Sequence, residues 1–387
     1  MRFASNLLPL LALIGSVVCS PVRADVQSSS NAEKRVDMVI RHDANFRRTS
    51  SETMANLHWI DGRDLPLEGK AFSGTESFYD RLPAAASGKV PPAVWDLQHC
   101  SAGMQFRLRT DSRRLCFRWS LKFDELAGDF ISAAGRSGID VYRRMDGVWR
   151  YIDTGRVKAR DGNELSLSWQ PGAECLVNLP PYNGIARFEL GVEPGATVSP
   201  LATRSSGVVK PVVFYGSSIT QGGCVSRPGS AFVSVAGRLA DVPVVNLGFS
   251  GSGCMEDALC DLLCEVAASC YVLDTAWNMD LGLIDSRWER FARKLHQCHP
   301  EVPVIFVEPC RIEPCKHDMG ERARHVRGIY EKLKGEDPAL WANLHLLPSE
   351  DQLPPDGEGT VDGIHPNDYG MFRMGQAFAA TLKRVLR

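Results

Sequence analysis

Three residues of the second half have the types that nucleophilic acyl chemistry needs. Ser218 lies in Gly216-Ser217-Ser218-Ile219-Thr220, and far downstream comes Asp362-Gly363-Ile364-His365-Pro366. A serine hydroxyl is a poor nucleophile until a base takes its proton. An imidazole, with an ordinary pKa of about 6.5, suits that task near neutral pH. His365 is the candidate base. Asp362, three residues earlier, can hold the other ring nitrogen and stabilise the imidazolium if the turn folds its carboxylate back. Each part alone has a plainer meaning. Gly-Ser-Ser is common in loops, and Asp-x-x-His also fits an unrelated loop pair or two metal ligands. A metal needs a third ligand, and the neighbouring sequence offers no convincing one. No metal and no cofactor is therefore expected. Thr220 stands where the Gly-x-Ser-x-Gly elbow requires glycine, and Asp362 and His365 lie too close together for that arrangement.

Such residues need a frame. Val212–Tyr215 is a short apolar run that reads as a buried strand and stops at Gly216. An apolar-periodic stretch begins near Ser230. Strand, tight turn and helix can present a serine at the carboxyl edge of a parallel sheet. The pattern repeats downstream. Strands are expected at Pro211–Tyr215, Val242–Leu247, Cys270–Asp274, Val302–Val307 and Leu344–Leu347. Helices are expected at Ser230–Ala240, Met255–Ala267, Ser286–Gln297, Gly320–Lys334 and Tyr369–Arg384. This alternation predicts an α/β, flavodoxin-like parallel sheet with flanking helices. Ser218, Gly251 and Asn278 each follow a predicted strand.

The first half has a different period. Met104–Arg109, Leu115–Leu121, Ile139–Tyr142 and Ala186–Val192 alternate apolar and polar residues. Turn signals such as Asp146-Gly147, Asp161-Gly162 and Asn183-Gly184 fall between them. Short strands with one polar face predict an all-β, jelly-roll-like sandwich. A Pro-, Ser-, Thr- and Gly-rich stretch from Glu193 to Gly207 reads as a linker.

At 387 residues and 44% hydrophobic, the chain is long and apolar enough for two cores. A net charge of −2 gives no basic excess for a nucleic-acid partner. Arg2 and the apolar run Leu7–Val18 resemble an export signal, with cleavage expected after Ala24. Cys19 raises a lipoprotein alternative, but Val18 is the wrong residue to precede a lipid-modified cysteine. The expected organisation is a signal peptide at 1–24, a polar leader at 25–50, the sandwich at 51–200 and a catalytic domain at 207–387. No later stretch is a transmembrane candidate, so an exported, periplasmic or extracellular protein is expected. Without Cys19, 11 of the 12 cysteines remain, an odd number. Most read as small buried hydrophobes. Cys260 and Cys264 share a helix face, and Cys310 and Cys315 are placed to close a small loop.

Four blocks line up: Gly216–Thr220, Asn246–Gly253, Asp274–Met279 and Asp362–Pro366. Together they resemble the SGNH or GDSL hydrolase superfamily, whose name lists Ser, Gly, Asn and His in that order. The first half resembles the β-sandwich that precedes this domain in one bacterial subgroup. Its matching features are Tyr79-Asp80-Arg81-Leu82-Pro83, Val94-Trp95-Asp96-Leu97 and Leu179–Gly184. The resemblance implies the triad Ser218, His365 and Asp362. It also implies an oxyanion hole made by the Ser218 amide, the Gly251 amide and the Asn278 side chain. Two departures stand out. Ser217 replaces the usual aspartate, which implies only local loop changes. The third block, usually Gly-x-Asn-Asp, reads Ala276-Trp277-Asn278-Met279. Trp277 and Met279 are candidates for an acyl or sugar pocket, with plain packing as the other role.

The expected activity is an esterase acting on a small-molecule or glycan ester. An acyltransferase is the alternative, because an alcohol can replace water at the acyl-enzyme. A non-catalytic glycan-binding protein and a metal-dependent hydrolase are further alternatives. With all four blocks beyond residue 210, the second half is expected to fold and act alone.

Overall fold

The computed structural model describes residues 56–201, 204–310 and 319–387. The expected signal and leader, Cys19 and Cys315 lie outside them. In the first half the strands are β1 (His58–Asp61), β2 (Leu67–Glu68), β3 (Gln105–Thr110), β4 (Arg114–Leu121) and β5 (Asp140–Met145). They continue with β6 (Val148–Thr154), β7 (Asn163–Ser168), β8 (Glu174–Asn178), β9 (Ile185–Val192) and β10 (Val198–Pro200). They form two antiparallel sheets, ordered β1-β9-β4-β7 and β10-β3-β8-β5-β6, with β2 added to β3. The alternation seen in the sequence has its physical meaning here. Leu115, Phe117, Trp119 and Leu121 of β4 turn inward and are buried. They share one core with Phe106, Leu108, Val141 and Val177 of the other sheet. Helix is confined to short pieces, including α1 (Pro92–Leu97) and α2 (Ala133–Ser137).

The second half is the predicted parallel sheet. Its strands are β11 (Val212–Gly216), β12 (Val244–Gly248), β13 (Cys270–Asp274), β14 (Val304–Val307) and β15 (Leu344–Leu347), in the order β12-β11-β13-β14-β15. Its helices are α3 (Ser218–Gln221), α4 (Phe232–Ala240), α5 (Asp257–Cys264), α6 (Leu281–Cys298), α7 (Met319–Glu336) and α8 (Asp368–Val385). Both faces of β11 are covered. Val213 and Tyr215 pack towards α5, α6 and α7, while Val212 and Phe214 pack towards α4 and α8. Helix α6 starts five residues before the expected Ser286, because the Asp280 carboxylate accepts from the Leu283 amide at 2.8 Å and caps it.

Two register pairs position the site. Gly216 pairs with Gly248 on one side and with Asp274 on the other. The three loops that follow therefore leave the sheet side by side, which is where open parallel sheets place their ligands.

Residues Ser51–Arg387 form one compact unit. The segment between β2 and β3 leaves the antiparallel core, and Phe72, Leu82, Ala86, Val90 and Val94 are buried with Leu247, Phe249 and Leu259 of the parallel half. Arg81 goes deeper and is 1% exposed. Its Nη1 donates to the carbonyls of Asn246 at 3.2 Å and Gly248 at 2.7 Å, and its Nη2 donates to Leu97 O at 2.7 Å. The guanidinium also lies over the Phe249 ring at 4.6 Å.

One disulfide joins described residues, and Cys315, the expected partner of Cys310, lies outside them. Cys264 bonds to Cys298. Each is the last residue of its helix, α5 or α6. Consecutive crossover helices on one sheet face run in the same direction, so their carboxyl ends meet. Cys260, on the same helix as Cys264, stays a buried thiol.

Candidate active site

The turn that carries Ser218 is built by its neighbours. Ser217 caps α3, and its Oγ accepts from the Ile219 amide at 3.2 Å. The Ser217 amide donates to Thr220 Oγ1 at 3.2 Å, completing a capping box. Gly222 then ends the single turn at φ 110°, a conformation that favours glycine. Ser218 sits at the first helical position, where the backbone N–H has no intrahelical acceptor.

The two distant motifs meet here. Ser218 Oγ lies 2.9 Å from His365 Nε2. His365 Nδ1 lies 2.7 Å from Asp362 Oδ2. The other carboxylate oxygen accepts from the amides of Ile364 at 2.9 Å and His365 at 2.7 Å. Burial alone would raise the Asp362 pKa. The hydrogen bonds from His365 and Ile364 outweigh it and hold the carboxyl below its ordinary value. Asp362 is thus an anion fixed in position, and it fixes the imidazole.

Gly251 adopts φ +64° on an exposed loop, with open space where a side chain would be. Neither its amide nor that of Ser218 has an acceptor among the described residues. Asn278 lies beside them, but its amide is engaged. Nδ2 donates to Phe249 O at 3.2 Å and to Gly253 O at 3.3 Å, the two shoulders of the Gly251 loop. The structure therefore brings Ser218, His365 and Asp362 into one chain and sets Asn278 as a clamp on the loop. To donate to an oxyanion, Asn278 must exchange one of these carbonyls. Met279 is fully buried in the core. Trp277 is half-buried and packs against the α4 and α8 side of the sheet.

Several supporting residues had little or no signal in the sequence. Tyr182, from the loop before β9, donates its hydroxyl to Ser218 O at 3.0 Å. Gln221 links both halves: Nε2 donates to Pro181 O at 3.0 Å, and Oε1 accepts from the Ser250 amide at 3.0 Å. Asp274 is fully buried under the turn and accepts from Thr220 Oγ1 at 2.7 Å. Burial pushes its pKa up to about 7 against the lowering effect of that single bond. In the sequence it opens the third block and closes an otherwise apolar strand, with nothing to mark its burial.

Among the described residues one cluster has metal-ligand types: Glu76, Asp80 and His99. The Lys122 ammonium already bonds Asp80 there and lies 3.2 Å from His99 Nδ1. It supplies the positive charge a metal would bring, and no triad residue takes part.

Both halves of the chain resemble known proteins. Residues 209–386 match the GDSL-like Lipase/Acylhydrolase family, and residues 57–198 match the N-terminus of the SGNH hydrolase-type esterases. The chain belongs to the SGNH/GDSL hydrolases and is an esterase of that class. A protein from Bacteroides ovatus described as a GDSL-like lipase is 29% identical, with a TM-score of 0.74 over 86% of this chain and 98% of that one. A salicylyl-acyltransferase from a tetracycline biosynthetic pathway shares the fold at 19% identity and a TM-score of 0.67, covering 85% and 96%. A family two carbohydrate esterase from Cellvibrio japonicus shares it at 11% identity and a TM-score of 0.55, covering 85% and 98%. Comparison with curated proteins finds no match. Among the described residues no helix is long and apolar enough to cross a membrane.

Proposed function

We propose that the chain is an exported serine esterase that removes a short acyl group, acetyl being the simplest, from a carbohydrate. The observation that carries this reading is the unbroken hydrogen-bond chain from Ser218 Oγ through His365 to Asp362. His365 Nε2 takes the Ser218 proton as Oγ bonds to the ester carbon. The carbonyl oxygen gains the negative charge and meets the free amides of Ser218 and Gly251, with Asn278 as a third donor after exchange. Collapse breaks the carbon–alcohol bond. The alcohol leaves with the proton from Nε2, and Ser218 holds the acyl group. Water then repeats the sequence and releases the acid.

The carbohydrate part of the reading is supported by the two-part architecture shared with the Cellvibrio esterase. Export is supported by the apolar Leu7–Val18 segment and by the Cys264–Cys298 disulfide, a bond of oxidising compartments. Transfer to an alcohol is the second reading, supported by the fold shared with the salicylyl-acyltransferase. A serine-directed phosphonate is expected to add its mass to the peptide containing Ser218. Ser218→Ala is expected to lower turnover on acetylated sugars by on the order of 10⁶. Labelling elsewhere, or an active Ser218→Ala protein, would sink the proposal. Acyl release measured with and without added alcohols separates hydrolysis from transfer.

A further inference from the structure

A groove of about 900 Å³ lies where the β5–β6 hairpin faces α4 and α8. No triad or oxyanion residue lines it. It is reached from the site by two short paths. Arg227 follows the Ser218 turn, and Tyr369 follows His365 into the first turn of α8. The Ser226 amide donates to Asp368 at 2.9 Å and ties these paths together.

Its lining is unusual for this molecule. Of the eleven exposed large apolar side chains among the described residues, five converge here: Val148, Tyr151, Leu239, Tyr369 and Phe372. Scattered exposed apolar residues need no explanation, but a contiguous set does. Tyr369, Phe372 and Lys383 lie along one stripe of α8, so the groove extends about 21 Å at 1.5 Å per residue. That length suits an extended chain better than a single small molecule.

The charges are uneven. Arg150 and Lys383 line the groove without a carboxylate partner among the described residues, whereas Arg238 is held by Tyr142 and attracted by Asp140. The acids of the lining are already engaged. Asp241 accepts from Ser205 and pairs with Arg204, and Asp368 accepts from Ser226. The Arg238 guanidinium lies on the Tyr142 ring at 4.2 Å, and its Nη1 is buried without a partner. Aromatic faces interleaved with unpaired cations favour a ligand that is both ringed and anionic. Pyranose rings present apolar faces to aromatics, and carboxylates take up guanidinium and ammonium donors.

We propose that this groove binds an acidic oligosaccharide, a chain of pyranose rings bearing carboxylates, and holds it beside the esterase site. The idea rests on the carbohydrate-ester reading for its biological sense, but its test does not depend on ester cleavage. Titration calorimetry of the full chain with an unesterified galacturonate oligosaccharide is expected to show binding that weakens as salt is added. A neutral xylo-oligosaccharide of equal length is expected to bind at least about tenfold more weakly, the loss of one or two charge-assisted contacts. Arg150→Glu and Phe372→Ala, both at exposed positions, are each expected to weaken galacturonate binding by about tenfold or more. Melting curves of both variants establish that they are folded. Four results would overturn the proposal: no binding of either sugar, equal binding of both, unchanged affinity in two folded variants, or a dimer in sedimentation that Phe372→Glu dissolves. A catalytically inert Ser218 would leave this result untouched.

Discussion

In the antiparallel half, strands such as β4 give one side to a core and carry charged residues on the other. On β4, Arg118 reaches Glu164 at 3.1 Å on one face while Phe117 and Trp119 are buried on the other. In the parallel half, β11, β12 and β13 are buried at every residue. Asn246 is the polar residue inside β12 and bonds the Thr220 carbonyl at 2.7 Å, while Ser218, Gly251 and Asn278 all follow strand ends. The antiparallel half contributes differently. It acts on the site through its loops, by Arg81 on the β12 carbonyls, Pro181 on Gln221 and Tyr182 on Ser218. One half carries the chemistry, and the other holds its backbone in place.

The strongest way to break this comparison is to separate the halves. A chain beginning near Ser206 was expected from the sequence to fold and act alone. In the structure Leu82 and Val94 pack in the second core and Arg81 bonds the Gly248 carbonyl, so a chain without the first half lacks all three. Such a chain is expected to lack near-ultraviolet circular dichroism and to have no activity on a small aryl ester. A folded, active product would show that the sandwich is dispensable.

Asn278 tests the loop between the strand ends. Asn278→Ala is expected to lower turnover roughly 10²- to 10³-fold, with a smaller change in KM. It is also expected to lower Tm, because the carbonyls of Phe249 and Gly253 lose their shared donor. A fall in Tm with turnover unchanged would confine Asn278 to holding the loop. Asn278→Asp is expected to be at least as damaging, since it brings negative charge to the oxyanion.

Arg81 tests the anchoring. Arg81→Ala leaves buried carbonyls without a donor and is expected to cost roughly 3 kcal/mol in denaturant unfolding. Full stability in that variant would remove the link between the halves.

The smallest expected effect belongs to Asp274. Its folded pKa of about 7 lies above its ordinary 3.8, so the folded state holds a proton that the unfolded state has lost. Stability from this group is therefore complete below about pH 4 and declines as pH rises towards 7. Asp274→Asn keeps an acceptor for Thr220 and is expected to flatten that slope in melts across the range. An unchanged slope would place the titration elsewhere.

Much of this molecule was legible in the sequence for definite reasons. Continuous apolar runs marked β11 to β15, and period-two runs marked β3, β4 and β9, because burial on two faces or one leaves those signatures. Ser218, Asp362 and His365 were legible because their chemistry limits the residue types. The remainder depends on pairings between distant segments, which no local period records. Cys264 has no mark that distinguishes it from Cys260; only the parallel course of α5 and α6 selects Cys298. Arg81 stood in a motif shared with the family's sandwich, but nothing near it indicates that two of its acceptors lie beyond residue 245. The groove was illegible for the same reason, since its walls come from a hairpin of one half and two helices of the other.

The position of Arg81 also bears on the order in which the chain becomes itself during synthesis. A growing chain that has just passed residue 200 contains every strand of the antiparallel core. Its Arg81 still lacks two of its three carbonyl partners, and those arrive only with Asn246 and Gly248. Until then Phe72, Leu82 and Val94 have no second core to enter. The first half is therefore complete in its strands before it is complete in its contacts. The last event of its folding belongs to the making of the second half.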